Sequence, residues 1–298
     1  MNSIRHDSFY EARARVRVAN LLDPSSFVEF LPPSERVISP HLKRLNLPVA
    51  FDDGIVVGRG LLAGKKVLCA AQEPGFMGGS VGEVHGAKFT GLLELASDEK
   101  PSAVILILDT GGVRLHEANA GLIAISEIQR ALFKARNSGV TVIAVSAGSN
   151  GVYGGIGIVA RCCDYVLITE EGRLSVSGPE VIEAQKGVEE FDARDRALVW
   201  RTMGGKHRYL INEAQSFAED SFTSIRDHLI PLLNHPIPIN LDRLQAEHSE
   251  LGQRLNQFGT CTEAFDVWKI LGITESEKIS SLDYSDFMLI ANRVRTHG

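Results

Sequence analysis

Three Gly-Gly pairs carry the chemistry most readily read from this chain: Gly78-Gly79, Gly111-Gly112 and Gly154-Gly155. Each follows an apolar run and precedes a helical pattern. Glycine lets the backbone turn tightly there and leaves amide N–H groups uncovered by a side chain. Free N–H groups at a helix start attract negative charge. A thioester oxygen between two such turns gains two hydrogen bonds as charge develops, and one donor of this kind is worth about 3–4 kcal/mol in an acyl-transfer site. The chemistry indicated is stabilisation of an enolate. For one pair alone, helix–sheet packing is the simpler explanation; three pairs at equivalent positions favour a chemical role.

Competing uses of glycine fit poorly. No GxGxxG opens a first strand–helix turn with an acidic residue about 20 positions later, and no GxxxxGK[ST] phosphate loop is present. His85, His116 and His207 are too scattered for a ligand set, so no metal is expected. The four cysteines form no CxxC pair, although Cys162 and Cys163 are adjacent, which indicates neither a zinc ribbon nor a disulfide framework. A reducing cytoplasm is the simplest setting. The net charge of -6 argues against nucleic-acid binding. The best apolar run, Ala103 to Leu108, has strand length, far below the ~20 residues of a membrane helix. The N-terminus, MNSIRHDSFYEARARVRV, has no apolar signal core.

Regular elements must hold these turns. Residues 8–22 read as an amphipathic helix, and 31–48 as a Pro-rich loop. Ile55 to Arg59 and Val67 to Ala71 read as strands joined by a turn at Ala63-Gly64-Lys65. A strand–turn–helix rhythm follows. A helix runs to about Ser97, the strand Ala103 to Leu108 ends in the second glycine pair, and a helix spans about 117–137. The strand Val140 to Ser146 then leads to the third pair and a further helix. Tyr165 to Thr169 and Arg173 to Val176 read as strands. Continuous apolar strands alternating with helices predict a mainly parallel α/β sheet covered on both faces. The last 60 residues read as polar and helical, giving an expected division into residues 1–235 and a helical C-terminal extension at 236–298.

The stretches FMGGSVGEVHGAKFTGLLELA, ILDTGGVRLHEA and YGGIGIVARCCDYVLITEEGRLSVSGPEVIE resemble the beta-type carboxyltransferase subunits of acyl-CoA carboxylases, within the crotonase superfamily. EARARVRVANLLDPSSFVEF and DDGIVVGRGLLAGKKV resemble the same family's N-terminal region, so the likeness covers about residues 9–185. GVEEFDARDRALVWRTMGGKHRYLI and HEANAGLIAISEI are most similar to the beta subunit of biotin-independent malonate decarboxylase. The four-cysteine zinc ribbon of bacterial acetyl-CoA carboxylase beta subunits is missing. The fold implied is crotonase-like, a ββα spiral of the ClpP/crotonase type.

The chemistry implied is decarboxylation of a malonyl thioester. The malonyl group rides on an acyl carrier protein through a phosphoribosyl-dephospho-CoA arm, and a gamma subunit shares the active site. By position in the family pattern, Gly111, Gly112 and Val113 form one turn, with Gly112 or Val113 as donor. Gly154 and Gly155 form the other, with the Gly155 amide as the strongest single choice. Phe76, Met77, Gly78 and Gly79 are expected to line the thioester channel. Arg114 either faces a substrate carboxylate or pairs with Glu117. His116 and Tyr153 flank the turns as candidate proton donors, with water or the partner subunit as alternatives. Lys206, His207 and Arg208 form a basic cluster in which Lys206 and Arg208 either touch the arm's phosphates or are solvated. The main alternative is the beta half of a biotin-dependent acyl-CoA carboxyltransferase. A crotonase-type hydratase would need an acidic base after a glycine turn, where this chain has Ile158-Val159-Ala160.

Overall fold

A computed structural model describes residues 7–296; residues 1–6 of the charged N-terminal segment and the last two lie outside it. Seven strands form one sheet in sequence order: β1 (Val28–Phe30), β2 (Ile55–Leu62), β3 (Lys65–Gln72), β4 (Ala103–Leu108), β5 (Val142–Ser146), β6 (Tyr165–Thr169) and β7 (Ser216–Ala218). The first three are antiparallel neighbours, and β3 to β7 run parallel. Leu62 pairs with Lys65 across a two-residue turn in which Ala63 and Gly64 take φ of 50° and 73°. That is the turn geometry whose twist matches a hairpin.

The strands are apolar throughout because both faces are covered. Val104, Leu106, Leu108, Val142 and Ala144 point to one side with α2 (Glu83–Glu99) and α3 (Asn119–Asn137). Ile105, Ile107, Ile143 and Val145 point to the other, where α1 (Ala14–Leu21) and α8 (Phe222–Leu229) pack. In α3 the buried Ala124, Ile125, Ile128, Ala131, Leu132 and Ala135 recur at helical spacing, and burial of each large aliphatic stabilises by about 1.5–3 kcal/mol.

The expected helix over 8–22 covers only Ala14–Leu21. The reason lies in side chains: the Arg17 guanidinium takes the carbonyls of Phe9 and Tyr10, and Asp220 takes the Tyr10 N–H, so residues 8–10 have no need of helical partners. Strands β1 and β7 are short additions at the sheet edges. Arg173 to Val176 is not a strand but makes isolated bridges only. Its backbone is bonded elsewhere, as described below.

After β5 come α4 (Gly154–Arg161), then α5 (Pro179–Lys186), α6 (Arg196–Met203) and α7 (Gly205–Leu210). The C-terminal region is helical as expected, and its helices differ in kind. α9 (Leu241–Phe258) has no buried residue. α10 (Ala264–Ile270) and α11 (Tyr284–Thr296) place Trp268, Phe287 and Ala291 in the same core as Tyr209 and Phe217. The carboxyl ends of β3, β4 and β5 each open into one glycine turn, at the edge where open α/β sheets take their ligands.

Candidate active site

The turn after β3 is built by Met77, Gly78 and Gly79, with φ of 48°, 66° and 68°. Gly79 is required by close approach: a Cβ there would lie 2.0 Å from the Asp109 carbonyl oxygen. Gly111 N–H donates to Gly78 O at 3.0 Å, so the first turn is laced to the second.

In the second turn Gly112 takes φ +128°. Its N–H donates to Thr110 Oγ1 at 3.0 Å, and its carbonyl accepts from Val81 N–H at 3.0 Å. Arg114 N–H donates to Val81 O at 2.9 Å. Between these bonds the Val113 N–H has no acceptor among the described residues. Of the two residues, then, Val113 keeps an unspent N–H, whereas the Gly112 N–H is already satisfied.

In the third turn Gly154 takes φ +63°, and its N–H donates to Val176 O at 2.8 Å. Gly155 follows in the first turn of α4, where an N–H has no intrahelical acceptor. The second and third turns abut: a Cβ on Gly154 would lie 3.2 Å from Gly112 Cα and 3.9 Å from Val113 N. They are zipped by Thr110 N–H to Gly151 O (2.7 Å) and Tyr153 N–H to Thr110 O (3.2 Å). Two unspent main-chain donors thus stand on adjoining loops. The segment expected as a strand at 173–176 is the strap beneath them. Val152 N–H donates to Arg173 O, Ser175 N–H to Val152 O, and Gly154 N–H to Val176 O.

Behind the turns lies a buried polar layer that sequence reasoning missed. Asp109, fully buried, accepts from Arg17 Nη1 (2.8 Å), Ser149 N–H (3.1 Å) and Asn150 N–H (2.6 Å). A Cβ on Gly148 would lie 2.0 Å from that carboxylate, so the loop after β5 closes tightly over it. Gln72 accepts from Asp109 N–H at 3.0 Å and donates to Gly79 O and His85 Nε2. His85 Nδ1 meets Asp53 O at 3.2 Å, which assigns its proton to Nδ1. Burial, with Arg114 nearby, brings the imidazole down to about 3, so it is neutral. Burial pushes the Asp53 carboxyl up, while the Arg114 cation opposes the shift. The only sequence signal for this layer was a polar residue ending each apolar strand.

Of the two roles expected for Arg114, the structure shows the internal pairing with Glu117, and Asp53 joins it. Arg114 is buried, with Nη1 on Asp53 (2.8 and 3.0 Å) and Glu117 (3.4 Å), and Nη2 on Ser80 O (3.1 Å). Glu117 also accepts from Ser39 Oγ and from Glu83 N–H (2.7 Å). Phe76 is half-buried against the Arg114 guanidinium, 5.2 Å from ring centroid to Cζ. Met77 is also half-buried, and Gly78 is exposed. Lys206 and Arg208 likewise hold internal partners. Lys206 Nζ donates to Glu170 and to Leu282 O, both at 2.7 Å. Arg208 donates to Glu213 (2.6 Å) and Thr202 O (3.0 Å). His116 is exposed on the short turn Leu115–Glu117. Tyr153 is buried, its hydroxyl making no well-formed hydrogen bond among the described residues, and burial pushes its phenol up while Arg173 nearby opposes the shift. Among the described residues no His, Cys, Asp or Glu cluster is placed to hold a metal, and no helix is long and apolar enough to cross a membrane.

A mixed sheet whose parallel part carries glycine turns with unspent amides at its carboxyl edge is a crotonase-like fold. The chain belongs to the carboxyl transferase domain family, whose model matches residues 11–205. It is 36% identical to a Malonomonas rubra protein named malonyl-S-ACP:biotin-protein carboxyltransferase MADC, across 98% of each chain. A subunit in the crystal structure of a Pseudomonas malonate decarboxylase hetero-tetramer in complex with malonate superposes with TM-score 0.82 and 41% identity, over 88% of this chain and 96% of that one. A chain of the Pseudomonas malonate decarboxylase MdcD-MdcE hetero-dimer gives TM-score 0.66 and 38% identity, over 83% and 97%.

Proposed function

We propose that this chain is the beta-type subunit of a malonate decarboxylase, working with a gamma-type subunit on a malonyl thioester carried by an acyl carrier protein. The observation that carries the reading is the pair of unspent amides, Val113 N–H and Gly155 N–H, on turns that touch. When the bond from the methylene carbon to the carboxylate breaks, CO2 leaves and the electron pair moves into the thioester. The carbonyl oxygen becomes the enolate oxygen and accepts from both amides. A proton then adds to carbon, giving the acetyl thioester. The step needs oriented donors and exclusion of water, as main-chain amides in a covered cleft provide.

The 41% identity to a chain of a malonate decarboxylase supports this reading. Leu115, Leu122 and Ile123 beside the first donor are 81%, 56% and 62% exposed, as a face covered by a gamma-type subunit would be. The phosphoribosyl-dephospho-CoA arm would approach past Phe76–Gly79, because Lys206 and Arg208 hold internal partners. One observation favours a second reading: the Malonomonas rubra relative is named for transfer to a biotin protein. The same enolate would then form, with the carboxyl group passing to biotin.

The test mixes the chain with a gamma-type subunit and malonyl-charged carrier protein. Release of CO2 without biotin or ATP is expected. Transfer of the carboxyl group to an added biotin carrier, with no CO2 released in its absence, selects the second reading, and neither outcome overturns both.

A further inference from the structure

One fully buried hydroxyl, that of Thr110, is bonded to the peptide that carries an unspent donor. Thr110 Oγ1 accepts from Gly112 N–H at 3.0 Å and donates to Gly112 O at 3.2 Å. One hydroxyl therefore grips both polar groups of one glycine. Gly112 needs such a grip, because at φ +128° it occupies a region that glycine enters and leaves with little cost. Its carbonyl belongs to the same peptide plane as the Val113 N–H, so fixing that carbonyl fixes the direction of the donor. The Val81 N–H holds the carbonyl from a second side. Thr110 is itself pinned, fully buried, by its own N–H on Gly151 O and its carbonyl on Tyr153 N–H. Thr110 thus ties the third turn, through its backbone, to the peptide of the Val113 donor, through its side chain.

We propose that Thr110 is a positioning residue that aims the Val113 N–H at the developing oxyanion; this rests on the enolate reading above. The hydroxyl also takes the Gly112 N–H out of competition, so the second turn offers one donor direction rather than two.

The experiment compares Thr110→Val, which keeps the shape and loses the hydroxyl, with Thr110→Ser, which keeps the hydroxyl. Both are assayed in the complete complex with malonyl-charged carrier protein. Thr110→Val is expected to lower kcat roughly 10–100-fold, somewhat less than outright loss of a donor, with KM within about threefold. Thr110→Ser is expected to restore most of kcat. A Thr110→Val kcat within twofold of the parent overturns the proposal, as does a serine variant as poor as the valine one. Amide hydrogen exchange in the isolated chain gives a readout independent of turnover. The Gly112 amide should exchange faster in Thr110→Val, with a distant core amide such as Ile143 unchanged. Unaltered exchange at Gly112 would refute the clamp even if activity fell. If the parent complex neither releases CO2 nor passes the carboxyl group to a biotin carrier, the enolate reading fails, and the exchange result still judges the clamp.

Discussion

The donor proposed at Gly155 is a main-chain group, so most side-chain substitutions there leave it in place. A Cβ at Gly155 would lie 2.7 and 2.8 Å from Ile125 Cγ2 and Cγ1, so Gly155→Val tests packing more than hydrogen bonding. Replacing Gly155 with glycolic acid exchanges N–H for an ester oxygen at nearly constant shape. Turnover should fall by about 10²–10³-fold, the usual cost of one oxyanion donor. Retention of parental kcat would remove Gly155 from the mechanism. Tyr153 makes a separate case at this scale. Its hydroxyl is buried without a well-formed hydrogen bond, and such a group costs about 1–3 kcal/mol. Tyr153→Phe is expected to leave the melting temperature equal or raised. A tenfold loss of kcat at undiminished stability would support the phenol as the proton donor; unchanged kcat would leave that role to His116, water or the partner subunit. The glycine positions were legible from sequence because a missing side chain is itself the signal. The spent and unspent amides were not, since their difference lies in one hydroxyl, Thr110, whose partner is two residues away in chain but set by a torsion.

Elements explain why the turns keep their spacing. The long strands and helices were legible: β4, α3 and β6 follow from apolar runs and helical periodicity alone. The strap at Arg173–Val176 was misread as a strand because its apolar alternation is real, while its hydrogen bonds go to the Gly151–Gly154 loop rather than to a neighbouring strand. The start of α1 was misread because Arg17, an apparent surface arginine, points inward to Asp109. That ion pair ties α1 to the end of β4 and to the loop after β5. Asp109→Asn would leave the Arg17 cation buried without a counter-charge, which costs about 3–5 kcal/mol. The expected result is a clear fall in melting temperature, accompanied by faster amide exchange at Ser149 and Asn150. A variant as stable as the parent would show that the pair does not anchor the loop.

Across the whole molecule, stability should depend on pH earlier than carboxylates alone would cause. His85 and His207 lie buried in different regions, beneath the glycine turns and against α10. His207 Nδ1 accepts from Trp268 Nε1 at 3.2 Å, so its neutral form is the one that fits. Burial, helped by neighbouring cations, holds both imidazoles down to about 3. In the unfolded chain they titrate near 6.5. Below that value the unfolded chain takes up protons that the folded chain refuses, so folding stability is complete above about pH 6.5 and declines toward pH 3. At pH 4.5 the loss is roughly 2–3 kcal/mol for each histidine. Glu213 joins later. Burial alone would raise its carboxyl, but Arg208, Arg254 and Arg161 override this and bring it down to about 2, so its contribution is lost only as pH falls from about 4.5. The melting temperature should therefore drop between pH 7 and pH 5, where carboxylates are still ionised. His207→Gln keeps an acceptor for the Trp268 indole and cannot take up a proton, so it should remove about half of that drop. A flat profile from pH 7 to pH 5, or a profile that His207→Gln leaves unchanged, would show that these histidines are not what sets the acid limit of the fold.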